Sequence, residues 1–79
     1  MDELRWDEEL DARGLVCPEP VMLLHTRVVD IREGQVLRVI ATDPSTKRDI
    51  PRFCQFLNHE LLESSEQGGE YIFLIRRGS

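Results

Sequence analysis

The sequence predicts a two-layer α/β (α+β) sandwich in which two helices cover one face of a four-stranded mixed sheet. Two segments with apolar residues at helical spacing alternate with β-prone runs, which gives the order β-α-β-α-β-β. A helix between the first two strands lets them run parallel, and a Gly68-Gly69 turn between the runs at 61–66 and 71–76 favours an antiparallel hairpin. The 79 residues suffice for one domain, 1–79, with one small core. We expect residues 1–4 to be flexible.

The first half of the chain supplies a strand, a helix and a second strand. Residues 4–11 mix apolar and charged side chains and predict a short strand that ends near Leu10, with Gly14 in the following turn. Two prolines then open a helix that ends at Gly34. Its buried stripe follows spacings of three and four: Val21, Leu24, Val28 and Ile31. The run 36–41 is apolar and β-prone, which predicts a central strand.

The second helix is predicted from a start signal and another apolar stripe. Asp43 is placed as its N-cap, with Pro44 at the first helical position. Apolar residues then continue at helical spacing: Ile50, Phe53, Leu57 and Leu61. Because Pro51 lies inside this segment, we expect a kink there or a second helix start at Asp49.

Composition and charge argue against several functional classes. A formal net charge of −5 argues against direct nucleic-acid binding, which needs clustered Lys and Arg. The acidic start, 1–9, lacks a signal-peptide pattern, and no apolar run approaches the ~20 residues that span a bilayer. We therefore expect a cytoplasmic protein without membrane contact, with Cys17 and Cys54 reduced. His25 and His59 lack partners at ligand spacing, so we expect neither a metal nor a cofactor.

The stretch Cys17-Pro18-Glu19-Pro20 carries the most chemistry. A residue before proline is pushed out of helical geometry, so Cys17 suits the N-cap of the first helix. From there its sulfur can face the N–H groups of Glu19 and Val21 and the positive end of the helix dipole. Such a site favours a thiolate over a thiol, although the Glu19 carboxylate opposes this.

The spacing around Cys17 also restricts its reaction. It is C-P-x-P, not C-x-x-C, so a resolving thiol three residues away is missing and dithiol exchange is disfavoured. A lone thiol suits a persulfide carrier, because a neighbouring thiol would discharge the sulfur as sulfide. The alternative stays open that Cys17 is a small buried residue and that the prolines merely start a helix.

Two blocks of the chain resemble a known family. Residues 10–22, with the C-P-x-P motif, and 43–51, with D-P-x(4)-D-I-P, are similar to the TusA/SirA sulfur-carrier family, most closely its TusA branch. The resemblance implies a sandwich like the C-terminal domain of translation initiation factor three. It also implies that a cysteine desulfurase supplies sulfane sulfur and that a TusBCD-type complex accepts it. The relay would then end in 2-thiouridine at the tRNA wobble position.

Several residues of this chain match positions with a known role in the family. Cys17 matches the persulfide site, and Arg48 is the best candidate to complement the anionic persulfide. The other matches belong to the surface around the site or to partner docking: Met22, Asp43 and Phe56. His25 and Val29 depart from the family's pattern, in which basic residues are frequent at both positions. We therefore expect the desulfurase contact along this helix to be weaker or differently placed.

Two other functional classes compete with the carrier hypothesis. One is a partner-binding regulatory module in which Cys17 takes no part in chemistry. The other is an RNA-binding module, which rests on fold analogy alone and which the acidic charge opposes.

Overall fold

The computed structural model describes residues 5–78, and the predicted flexibility of residues 1–4 lies outside that range. The elements follow the predicted order β-α-β-α-β-β: β1 Glu8–Ala12, α1 Glu19–Val28, β2 Val36–Ala41, α2 Thr46–Phe56, β3 Glu60–Gln67 and β4 Glu70–Arg76. The predicted fold class is therefore confirmed.

The four strands form one mixed sheet in the order β1-β2-β4-β3. β1 and β2 are parallel, with Leu10 opposite Val39, while β2 and β4 are antiparallel, with Val39 opposite Phe73. β3 and β4 form the predicted antiparallel hairpin. Its turn requires positive φ at two successive residues, Gly68 at 56° and Gly69 at 83°, which glycine adopts readily.

The core lies between the sheet and the two helices. Alternate residues of the strands point inward and meet the apolar stripes of α1 and α2, so both helices lie on the same face of the sheet. The buried cluster draws on every element except β3: Leu10, Leu24, Val28, Ile31, Leu37, Val39, Ile50, Phe53, Cys54, Phe73 and Ile75. Leu61 of β3 packs against this cluster while partly exposed. This core fixes how α1 and α2 approach each other.

The predicted end of α1 at Gly34 is wrong, because the helix ends at Val28. Ile31 keeps its place in the helical spacing and is buried, but it lies beyond the helix. The guanidinium of Arg77 donates hydrogen bonds to the carbonyls of Val29 and Ile31. Backbone acceptors after the helix are thus satisfied by a side chain from the other end of the chain, so the helix need not continue.

The predicted start of α2 is also wrong. Asp43 is not the N-cap, because α2 begins at Thr46 after Ser45. Asp43 instead accepts a hydrogen bond from the Ser45 N–H at 3.1 Å, which closes the turn before the helix. The predicted second start at Asp49 does not occur either, since one helix runs through Pro51. Burial of Ile50 and the next turn of α2 against the core favours this uninterrupted course.

Candidate functional site

Cys17 lies in the turn that connects β1 with α1. The Glu19 N–H donates to the Val16 carbonyl at 2.9 Å, and Pro18 occupies the N-cap position. The prediction that Cys17 itself caps α1 is therefore wrong by one residue. The Glu19 N–H is already satisfied by the backbone, so it does not serve the sulfur as predicted. Pro20 is buried in the first turn, which anchors this start of the helix against the core.

Asp43 holds the backbone of Cys17. Its Oδ2 accepts the Cys17 N–H at 2.5 Å and the Ser45 hydroxyl at 2.9 Å. Hydrogen bonds from the Ser45 N–H, the Cys17 N–H and the Ser45 hydroxyl, in that order, hold the pKa of Asp43 below its usual value. One carboxylate thus joins the loop before α1 to the turn before α2 and fixes where the Cys17 side chain starts.

The sulfur of Cys17 is exposed and meets a second carboxylate. Cys17 Sγ lies 3.6 Å from Asp49 Oδ2, within the range of a thiol–carboxylate hydrogen bond. Arg48 Nε donates to Asp49 Oδ1 at 3.1 Å. Arg48, predicted to complement a persulfide, is therefore joined to the sulfur through Asp49.

Asp49 was not predicted to belong to the site, because its position in the sequence indicates only a helix start. Its contact with Cys17 spans 32 positions in the chain and depends on how α2 packs against the loop before α1. Two aspartates flanking the start of α2 were the available signal, but nothing local shows which one reaches the sulfur.

An apolar groove of about 380 Å³ runs between α1 and α2 beside the thiol. Its lining includes Pro18, which follows Cys17 in the chain, and Phe56, with 86% of its surface exposed. The residues lining this α1–α2 groove are Pro18, Val21, His25, Asp49, Arg52, Phe53, Phe56 and Leu57. The groove was not predicted, although the two helical stripes and the position of Phe56 outside the stripe of α2 were available as signals.

Of the four docking candidates, one lines the α1–α2 groove and three lie outside its lining. Phe56 lines the α1–α2 groove, whereas Met22 lies outside it on α1 and is 60% exposed. Asp43 and Arg48 also lie outside the groove lining, at the start of α2. Glu19 is exposed in the first turn of α1, so its carboxylate is solvated.

Cys54 lies in a contrasting environment. Only 3% of it is exposed, and it belongs to the core cluster. Burial raises the pKa of the Cys54 thiol to about 11, because the apolar surroundings disfavour the thiolate. Cys54 is therefore held as a neutral thiol away from solvent.

The fold and the site define a class of protein: a small α/β sandwich that presents one exposed cysteine at the mouth of a helix and buries the other. Within residues 5–78, no three His, Cys, Asp or Glu side chains are grouped so as to hold a metal ion. Over the same span, no helix is long and apolar enough to cross a membrane.

Comparison with known proteins gives the family. The family model described as Sulfurtransferase TusA matches residues 8–77. The sulfur carrier protein TusA of Pseudomonas fluorescens SBW25 is 56% identical over 78 residues, which cover 99% of this chain and 94% of that protein. The protein of the same name from Pseudomonas paraeruginosa PA7 is 61% identical over 71 residues, 90% of each chain. The chain belongs to the TusA family.

A solved structure supports the fold independently. The crystal structure of a SirA-like protein from Desulfitobacterium hafniense superposes with a TM-score of 0.80. It is 21% identical in sequence, and the match covers 92% of this chain and 100% of that one. The sandwich is thus shared at low sequence identity.

Proposed function

We propose that this protein is a cytoplasmic sulfur carrier that holds sulfane sulfur as a persulfide on Cys17. The observation that carries the proposal is the exposed Cys17 sulfur in a TusA-family chain whose other thiol is buried. Curated relatives at 54–61% identity are named sulfur carrier proteins, which supports the same role here. The protein is proposed to act as a relay component and not as an enzyme with its own turnover.

The transfer requires only a donor persulfide. Cys17 Sγ attacks the terminal sulfur of the donor, R–S–SH, forming a new S–S bond while the old one breaks. The donor sulfur leaves with the bonding electrons and ends as R–SH, and Cys17 ends as Cys17–S–SH. Atoms, electrons and the one exchanged proton balance without an external oxidant.

Isolation of the two thiols supports retention of the cargo. A second thiol close to the persulfide would attack Cys17 Sγ, close a disulfide and release sulfide. Cys54 is buried and held neutral, so it is poorly placed and poorly ionised for that attack. The carrier can thus keep its sulfur until an external thiol arrives.

The α1–α2 groove is the proposed docking surface for a partner that delivers or removes the sulfur. It lies beside Cys17 and displays the exposed Phe56 ring, the type of side chain that anchors protein interfaces. Met22 extends the apolar surface on α1, and Asp43 and Arg48 supply charges at its margin. A cysteine desulfurase is the proposed donor.

The proposed acceptor is a TusBCD-type complex, and the proposed end product is 2-thiouridine at the tRNA wobble position. The formal net charge of −5 agrees with a carrier that meets proteins and does not itself bind tRNA. The carrier would then hand its sulfur to the machinery that binds the RNA.

Labelled sulfur tests the proposal directly. The protein is incubated with a cysteine desulfurase and ³⁵S-cysteine, then separated without reductant. We expect label on the wild type and on Cys54→Ala, none on Cys17→Ser, and release of the label by dithiothreitol. Label retained by Cys17→Ser would overturn the assignment.

Docking is tested with a matched pair of controls. Phe56→Ala is expected to slow desulfurase-dependent loading while leaving chemical modification of Cys17 by a small reagent unchanged. Trp6→Ala, an exposed aromatic residue before β1, should leave both rates unchanged. Equal loading of the Phe56→Ala and wild-type proteins would remove the groove from the proposal.

A further inference from the structure

Asp49 is the carboxylate in contact with the Cys17 sulfur, at 3.6 Å, and its side chain is one-fifth exposed. We propose that Asp49 stabilises the empty, protonated form of Cys17 and thereby favours release of sulfur from the loaded form. This inference rests on the proposed carrier function and assigns Asp49 as a positioning residue that sets the balance between the two forms.

The empty state makes a favourable contact with Asp49. A Cys17 thiol can donate its hydrogen to Oδ2, and the contact holds the sulfur on the α2 side of the loop. The contact therefore stabilises the empty form of the carrier.

The loaded state loses this contact. In the persulfide, Cys17 Sγ is bonded to a second sulfur and carries no hydrogen, so it has nothing to donate to Oδ2. Sulfur lone pairs then face the carboxylate, and ionisation of the terminal sulfur adds a negative charge nearby. The hydrogen bond thus exists only when the carrier is empty, which raises the free energy of the loaded form relative to the empty one.

Release restores the contact in a balanced step. An acceptor thiol, R–SH, attacks the terminal sulfur of Cys17–S–SH, so that a bond from R–S to that sulfur forms and the Cys17 S–S bond breaks. Cys17 Sγ takes the bonding electrons and one proton and becomes a thiol again, while the acceptor becomes R–S–SH. The regained Sγ–H donates to Asp49 Oδ2.

Neighbouring charges set the strength of this effect. Asp43 directs its carboxylate to the Cys17 and Ser45 N–H groups and not to the sulfur. Glu19 is exposed, so its charge is solvated. Arg48 binds Asp49 Oδ1 at 3.1 Å and offsets part of the negative potential at the sulfur. Removal of Arg48 should therefore act in the opposite direction from removal of the Asp49 charge.

The first test measures Cys17 reactivity without any sulfur transfer. In a Cys54→Ala background, the rate of reaction with the neutral disulfide 4,4′-dithiodipyridine is measured near neutral pH and low ionic strength. The attacking sulfur carries negative charge, and neutralising a carboxylate 3.6 Å away favours that charge about sevenfold in a water-like dielectric. About half of that effect, on a logarithmic scale, is expressed in the rate of thiol–disulfide exchange, so Asp49→Asn should react about threefold faster.

Matched variants make this test specific. Asp30→Asn, an exposed carboxylate in the turn after α1, makes the same chemical change at the far end of that helix and should leave the rate unchanged. Arg48→Gln should slow the reaction. Equal rates for Asp49→Asn and Asp30→Asn would overturn the proposal.

The second test measures release. Each variant is loaded chemically with polysulfide, mixed with glutathione as the acceptor thiol, and followed by intact mass. Asp49→Asn should retain several-fold more persulfide at equilibrium than Asp30→Asn, and equal retention would overturn the proposal. Chemical loading uses no desulfurase. If a desulfurase fails to load the wild type, that result counts against the proposed function, while the reactivity and release tests of Asp49→Asn against Asp30→Asn still decide the role of Asp49.

Discussion

The two cysteines of this chain have the same side chain and opposite environments. Cys17 is exposed in the loop before α1, with its sulfur beside Asp49, whereas Cys54 is buried in α2 and its thiol has a pKa raised to about 11. Packing decides the difference, since both residues are free thiols. The chemistry of a small protein can thus be confined to one position without any change of residue type.

Two phenylalanines on α2 repeat this contrast three residues apart. Phe53 is 6% exposed and belongs to the core cluster, while Phe56 is 86% exposed and lies in the α1–α2 groove. One aromatic ring therefore contributes to stability, and the other is available to a partner. In each pair, we expect the buried residue to contribute to stability and the exposed residue to react or to contact a partner.

Truncation of the two phenylalanines should give the largest difference. Phe53→Ala removes a core ring and is expected to cost about 3–5 kcal/mol of unfolding free energy, whereas Phe56→Ala should stay within about 0.5 kcal/mol of wild type. Urea denaturation followed by circular dichroism measures both. Similar losses in the two variants would contradict the division of α2 into a core side and an exposed side.

Alkylation of the native protein should separate the two thiols by about a hundredfold or more. At slightly alkaline pH, a thiol with a pKa of about 11 is ionised only to about one part in a thousand, and burial also blocks the reagent. Iodoacetamide labelling with peptide mass spectrometry gives both rates, and urea should remove most of the difference. Comparable rates in the native protein would show that the reagent reaches Cys54 and that its burial does not protect it.

Serine substitution should reverse the ranking of the two cysteines. Cys54→Ser places a hydroxyl in an apolar site and should cost about 1–3 kcal/mol, while Cys17→Ser on the surface should change stability by less than about 0.5 kcal/mol. Thermal and urea unfolding measure the pair. A larger loss for Cys17→Ser would mean that Cys17 has a structural role instead.

The buried region should also be sensitive to mild acid through His59, whose ring lies 5.5 Å from that of Phe53. Desolvation, with smaller effects of Arg77 and His25, holds the pKa of His59 below 6.5. Neutral His59 accepts the Gly78 N–H at Nδ1, at 2.9 Å. The unfolded chain takes up the proton first, so this stability is present above pH 6.5 and is lost as pH falls below it.

Unfolding free energies measured on both sides of pH 6.5 test that sign, and we expect the effect to be smaller than those above. His59→Asn, which keeps an acceptor near the same place without titrating, should show a flatter pH dependence. An equal slope in both proteins would exclude His59 as the source.

Local sequence patterns predicted most of the fold. The β2 limits at 36–41, the hairpin around Gly68 and the order of elements follow from residue types close in sequence. The end of α1 was missed because a distant side chain, Arg77, donates to a carbonyl after the helix. The start of α2 was missed because Asp43 accepts the N–H of Ser45, two residues on, and closes a turn before the helix. The contact of Arg77 is tertiary and is not visible in local spacing, whereas the role of Asp43 is a local choice between capping the helix and closing the turn before it.

The candidate site also has residues that the local sequence reveals and residues that only tertiary packing brings together. Cys17 could be selected from its C-P-x-P context, because the special residues are adjacent in the chain. Its partner Asp49 could not, since their contact depends on the approach of α2 to a loop 32 positions away. The groove beside Phe56 depends on the same packing.

The central claim is that Cys17, and not Cys54, carries sulfur. Mass spectrometry of peptides from the desulfurase-treated wild type, alkylated before digestion, tests it most directly. The account predicts one added sulfur, about 32 Da, on the peptide that contains Cys17, and an unmodified thiol on the peptide that contains Cys54. Added sulfur on the Cys54 peptide, with a plain thiol at Cys17, would contradict it.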